Sequence, residues 1–285
     1  MADNLTLAGR SGSFPATRWS AVVAARSADP AERTRALDVL LAAYWKPVYK
    51  YVRLRWTKSS EDAQDLTQDF FVRLVEKNLL DGYDPARGRL RTFLRACVDH
   101  LVVNQDRDAR RQKRGGGALH LSLDFPAADG ELQRLDPAVP PEIDEFFERE
   151  WARSVFSAGV ERLRAELGSC GKSVYFRIFE RYDLEDVLDR APDGAHNSGP
   201  DRRPSYQDLA REFGLTPATV TNYLAHARRE FRRIVLDFLR ETAASDEEFR
   251  REARSLLGAR PASPAPPQKS PRGGAGKGAP GDESK

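Results

Sequence analysis

A chain of 285 residues that is 40% hydrophobic and 31% charged, with a mean hydropathy of −0.61, has room for about two domains and no surplus of apolar residues. No apolar run approaches the ~20 residues of a membrane span, so membrane insertion is not expected. The N-terminus MADNLTLAGRSGSFPATRW has no basic start followed by an apolar block, so no secretory signal is expected either.

Residues 1–13 are small and polar and read as a loose terminus. A short helix is expected over Thr17–Arg26, broken at Asp29-Pro30, then another over Ala31–Trp45. Pro47 kinks or restarts it, and Val48–Trp56 carries on with aromatics that read as core. Ser59 or Ser60 is an N-cap for a helix running to about Asn78, with Glu61 and Asp62 in its first turn, where the helix dipole favours acids. Leu66, Phe70, Phe71, Leu74 and Val75 form its buried side. Asp62, Asp65, Asp69 and Glu76 fall within a narrow arc on another face, since their offsets nearly superpose at 100° per residue. Alone, such an arc is most simply a solvated acidic face.

Leu80–Gly88 (LDGYDPARG) is a loop by its glycines and proline. In the helix after it, Leu90, Phe93, Leu94, Cys97, Val98, Leu101 and Val102 recur at helical spacing. Past Val103 the apolar residues stop. Asn104, Arg107, Arg110, Arg111 and Arg114 follow, with Lys113 beside them. Between Arg87 and Arg114 there are nine Lys or Arg against three Asp, whereas acids outnumber bases between Lys58 and Asp84. A net charge of only +3 hides this change of sign, which suggests two surfaces for two partners.

Gly115-Gly116-Gly117 ends the basic stretch. Residues 115–141, rich in Pro, Ala, Gly and Asp, read as a flexible linker with little structure of its own. Ile143 to Gly168 gives one long amphipathic pattern, and another helix is expected from Lys172 to about Leu188. Ala191–Pro204 is a loop. Then come Ser205–Phe213, Gly214-Leu215, a Thr216 cap with Pro217 at the first helical position, and a long helix. Val220, Leu224, Ala227, Phe231, Ile234 and Phe238 share one face of it; Thr221, Asn222, His226, Arg229 and Arg233 face away. A short helix, a Gly turn and a capped second helix is the helix-turn-helix pattern, whose second helix enters the major groove. An ordinary helical hairpin has the same outline; the Thr-Pro cap and Arg228, Arg229, Arg232 and Arg233 favour DNA. Ser245–Leu257 is a last helix, and residues 259–285 are Pro/Gly/Ser/Lys low complexity, expected to be disordered.

Cys97 and Cys170, in apolar or small-residue surroundings, read as reduced structural thiols. The scattered His100, His120, His196 and His226 form no ligand pattern, so neither metal nor cofactor is expected. The acids on the helix after Ser60 make a strip, not a converging cage, and no catalytic constellation is present. The fold expected is all-α: two helical domains joined by a flexible linker, the second ending in a helix-turn-helix. The boundaries are 14–114, 115–141 and 142–242, followed by a C-terminal helix within 243–258.

The order of these features resembles the sigma-70 family of bacterial RNA polymerase subunits, and within it the small extracytoplasmic-function group. The resemblance rests on YWKPVYKYVRLR (44–55), SSEDAQDLTQDFFVRLVEK (59–77), YDPARGRLRTFL (83–94) with its basic continuation to Arg114, and SYQDLAREFGLTPATVTNYLAHARREFRR (205–233). The first three are similar to the family's second conserved region and the last to its fourth; with the helices between, they cover most of residues 31–240.

The resemblance implies a non-enzymatic, cytoplasmic sigma factor that directs core RNA polymerase to promoters. Asp62, Asp65, Gln68 and Asp69 would dock on the polymerase clamp coiled coil. Asp84, Arg87, Arg89, Asn104, Arg107, Arg110, Arg111 and Arg114 would hold the single-stranded minus-ten element, with the loop trapping a flipped base. Thr216, Ala218, Thr219, Thr221, Asn222, His226 and Arg229 would face the duplex minus-thirty-five element. Many relatives are held by a separate anti-sigma protein, which would be a third partner beside core polymerase and promoter DNA; the sequence carries no mark of whether this chain has one. The alternative is a helix-turn-helix regulator acting without polymerase, which leaves the acidic strip and the loop with its basic helix unassigned.

Overall fold

The computed structural model describes residues 21–76, 79–109, 123–134, 142–185 and 203–258, without the side chains of 75, 76 and 106–109. Every regular element among these residues is helical, as the apolar spacing predicts. Helix α1 is Ala21–Ala24, and the segment before it lies outside the described residues. Asp29 accepts from the Ala31 amide at 2.9 Å and Pro30 takes the first turn of α2, Pro30–Arg55. The sequence predicts a kink or a restart at Pro47; the helix is not restarted there, and α2 runs through it unbroken. Pro47 gives up one backbone hydrogen bond, but it is buried with Val48, Tyr49 and Tyr51 on both sides of α2, and this packing holds the helix together.

Thr57, at φ +48°, turns the chain into α3, Ser60–Glu76. A short 3-10 turn covers Leu79–Gly82, and α4 is Leu90–Ala109. Ala63, Leu66, Phe70, Phe71 and Leu74 of α3 meet Leu90, Leu94, Val98, Leu101 and Val102 of α4 in one core with α2. Asp99 of α4 accepts from the Tyr51 hydroxyl at 2.9 Å and the Trp56 indole N–H at 3.0 Å, fixing α4 against the end of α2.

Within the stretch 115–141, the described residues 123–134 depart from the expected lack of structure. Phe125–Gln133 forms helix α5, capped by Asp124, which accepts from the Ala127 amide at 3.1 Å. Phe125 packs edge-on to Trp45 at 5.7 Å and beside Tyr49 at 5.0 Å. Composition alone did not reveal this, because a single aromatic anchor and two acids that pair at long range leave no periodic signal.

Two long helices then run through the molecule. Helix α6 is Ile143–Ser169 and α9 is Pro217–Thr242; between them come α7, Ser173–Phe179, continued by a π-helical turn over Glu180–Leu184, and α8, Tyr206–Phe213. The rear of α6 and front of α9 build a second core with α7 and α8 from Leu163, Ile178, Leu209, Leu224 and Ile234. The front of α6 (Phe147, Trp151, Val155) and rear of α9 (Val235, Phe238, Leu239) join the first core. At Gly159 the side chains of α9 leave no room for one on α6: a Cβ there would lie 3.1 Å from side-chain atoms of Phe231 and Val235. Helix α10, Asp246–Leu257, capped by Ser245, also returns to the first core through Phe249 and Ala253. Cys170 corrects its sequence reading: it is exposed, on the turn after α6 that Gly171 makes at φ +70°. Cys97 is half-buried, and burial pushes its thiol pKa up.

Candidate nucleic-acid interface

The acidic strip lies on α3. Ser59 and Asp62 form a reciprocal cap: the Asp62 amide donates to Ser59 Oγ at 3.1 Å, and that hydroxyl donates back to the Asp62 carboxylate at 2.8 Å. Asp62 and Asp65 are exposed; Gln68 and Asp69 are half-buried. Asp69 is also structural, since it accepts from Arg73 Nε at 2.8 Å and from Gln105 Nε2 at 2.6 Å. The second bond joins α3 to α4 and sets the strip beside the exposed Asn104.

The loop before α4 is held from three sides. Arg26 donates to the carbonyls of Leu80 and Tyr83 and lies 3.6 Å from Asp81. Asp84 accepts from the Ala86 amide at 3.0 Å, an Asx turn, and lies 3.4 Å from the largely exposed Arg87. The Tyr83 ring packs on Phe93 at 5.4 Å, and its hydroxyl lies 3.1 Å from the Gly88 carbonyl and from both carboxylate oxygens of Glu248. Burial and the Glu248 charge raise the Tyr83 pKa, so the phenol keeps its proton and donates.

Arg89 does not stand free: it lies 3.5 Å from Glu148 on α6 and 3.6 Å from Glu252 on α10. Arg91 is buried between the same two carboxylates, with its guanidinium 4.2 Å from the Trp151 ring. Burial raises the Glu252 pKa, against the opposing pull of Arg91. A small cavity bounded by Tyr44, Arg91, Trp151, Thr242, Ala243, Glu248 and Glu252 lies here. Sequence reasoning missed Glu148, Glu248 and Glu252. The signal available was spacing: Glu248 and Glu252 lie four apart, in phase with Phe249 and Ala253 on the face that α10 buries. Arg107 lies in α4 with its side chain not described, and Arg110, Arg111 and Arg114 lie outside the described residues.

The helix-turn-helix stands at the other end of α6 and α9. Ser205 and Asp208 form a capping box at the start of α8, and Gly214, at φ +66°, ends it in the left-handed region that a side chain would strain. Thr216 caps α9 by accepting from the Thr219 amide at 3.2 Å. Two residues read as DNA contacts therefore also serve the helix start. Ala218, Thr221, Asn222 and Arg229 are exposed, and the Thr221 hydroxyl donates to the Pro217 carbonyl at 3.0 Å. His226 is half-buried, 3.4 Å from Lys172 Nζ and edge-on to Tyr175, which stacks on Tyr223 at 3.8 Å. Arg228 is taken by Asp183 at 2.7 and 2.8 Å, and Arg233 by Glu166, Glu230 and Asp237.

Among the described residues no group of three or more His, Cys, Asp or Glu is placed to hold a metal ion, and no helix is long and apolar enough to cross a membrane. Residues 40–112, spanning α2 from Leu40 through α4 and its basic continuation, match the family model of sigma-70 region 2. The match covers about a quarter of the chain, and this part is similar to sigma-70 region 2, a region of transcription initiation factors. No curated protein and no solved structure matches the chain.

Proposed function

We propose that the chain is a sigma factor of the extracytoplasmic-function type. It binds core RNA polymerase through the strip Asp62–Asp69, opens and holds the minus-ten strand with the loop at Asp84 and the rear of α4, and reads the minus-thirty-five duplex with the front of α9. The observation that carries this reading is the adjacency of the strip and the α4 rear: the Asp69–Gln105 bond puts an exposed acidic surface beside Asn104, where the basic run begins. A basic partner on one side and a polyanion on the other is the charge layout a polymerase-bound DNA opener needs. The helix-turn-helix, with exposed Asn222 and Arg229, supplies a separate duplex reader.

The test is in vitro transcription with core polymerase on genomic fragments. Promoter-specific transcripts that vanish with Asp62→Ala plus Asp65→Ala support the proposal. Tight, sequence-specific duplex binding without polymerase, unchanged by those substitutions, would replace it with a regulator acting alone.

A further inference from the structure

Helix α10 lies outside the matched residues 40–112, yet its buried face sits on the segment Tyr83–Arg91. Glu248 accepts from the Leu90 amide, at the first residue of α4, at 2.8 Å, and from the Ala244 amide at 2.9 Å, besides the Tyr83 phenol. Glu252 pairs with Arg91 and lies 3.6 Å from Arg89. Both carboxylates are 5% exposed. A helix-start N–H, a phenol and two guanidiniums are the donors that a phosphate group attracts, and here two carboxylates hold them. Apolar side chains would bury this face at a smaller desolvation cost. Two glutamates among the four residues α10 buries therefore point to anion chemistry as well as packing.

We propose that α10 is a built-in competitor for the promoter strand. Docked, Glu248 and Glu252 occupy and neutralise Tyr83, Leu90 N–H, Arg89 and Arg91. Displaced, they leave the Tyr83 phenol and the Leu90 N–H without their carboxylate, and Arg89 and Arg91 with Glu148 of α6 as their one remaining carboxylate, so that this cluster turns from charge-balanced to cationic and can hold a phosphodiester of single-stranded DNA. The inference rests on the minus-ten reading of this segment given above.

The experiment measures anisotropy of a fluorescein-labelled, mixed-sequence single-stranded DNA of roughly 16 nucleotides, since phosphate contacts carry no sequence. Four forms are compared without polymerase: the full chain, a chain ending at Gly258, a chain ending at Ala244, and the full chain with Glu248→Gln plus Glu252→Gln. The first two keep α10 and should bind weakly. The last two should bind about tenfold more tightly, as when an open form populated at about one part in ten becomes the main one. Adding Arg89→Gln should remove that gain. Asp246→Asn with Glu247→Gln changes charge equally on exposed positions of the same helix and should give much less. Circular dichroism confirms folding; if the truncation unfolds, the nearly isosteric glutamine pair decides. Equal affinity in all folded forms, or a gain that survives Arg89→Gln or is matched by the exposed pair, overturns the competitor. Promoter-specific transcription by the same samples with core polymerase would leave the minus-ten reading standing, whereas its absence would count against that reading itself.

Discussion

Asp65 and Asp69 lie four residues apart on one helix but do different work. Asp65 is exposed, so Asp65→Ala should leave the melting temperature unchanged, and under the proposed function it should weaken binding to core polymerase, in a pull-down or by anisotropy. Asp69 bonds Arg73 and Gln105, so Asp69→Ala should also cost about 1 kcal/mol of stability in urea unfolding. Asp129 on α5 gives a pH signature. Burial opposes its ionisation, but hydrogen bonds from Ser60, Tyr49 and Arg53 outweigh that and hold its carboxyl below the usual range. The native state therefore favours the ionised form. Its contribution is fully present above the ordinary carboxylate pKa of about 3.9 and is lost as pH falls through the depressed native value. The stability gap between the wild type and Asp129→Asn, measured in urea, should be open at neutral pH and close on acidification below about pH 4.

At the scale of elements, charge does what apolar pattern alone could not. Lys50, 2% exposed on α2, sits between Glu131 of α5 at 2.5 Å and the equally buried Glu150 of α6. Arg91 sits likewise between α6 and α10. Buried pairs add little net stability over an apolar isostere, but removing one partner strands a charge. Glu150→Ala should cost roughly 3 kcal/mol, the low end for a broken buried pair because Glu131 remains. Lys50→Met together with Glu150→Leu should recover much of it; denaturant unfolding of the single and double variants distinguishes them. Helices α3, α4, α8 and α9 were legible because their apolar periodicity and capping residues are local. Helix α5 and the continuity of α2 through Pro47 were not, because both depend on partners distant in the chain.

For the whole molecule, the two cores share α6 and α9, and this limits reach. The minus-ten and minus-thirty-five elements are separated by roughly 25 base pairs, or ~85 Å at 3.4 Å each. Helix α6, with 27 residues, is about 40 Å long. Under the proposed function, engaging both elements is expected to part the first core from the helix-turn-helix when the chain joins polymerase. Cys170 is exposed beside the second core, and Ala86 is exposed on the loop of the first. With Cys97 replaced by alanine, labels on Cys170 and on Ala86→Cys should show a fall in energy transfer when core polymerase is added. Unchanged transfer would mean that the bound form keeps the arrangement described here.

By itself the sequence determined the helical class, the acidic strip, the basic continuation of α4 and the capped helix-turn-helix. Each is written in spacings of three and four residues or in residues adjacent to a helix end, and such signals survive without a partner. Only the tertiary structure decided that Arg89 and Arg91 are held by Glu148 and Glu252, that Glu248 closes the start of α4, and that α5 docks on α2. These contacts join residues 57 to 163 positions apart, and a glutamate that will be buried against an arginine reads, in one dimension, like any glutamate bound for water.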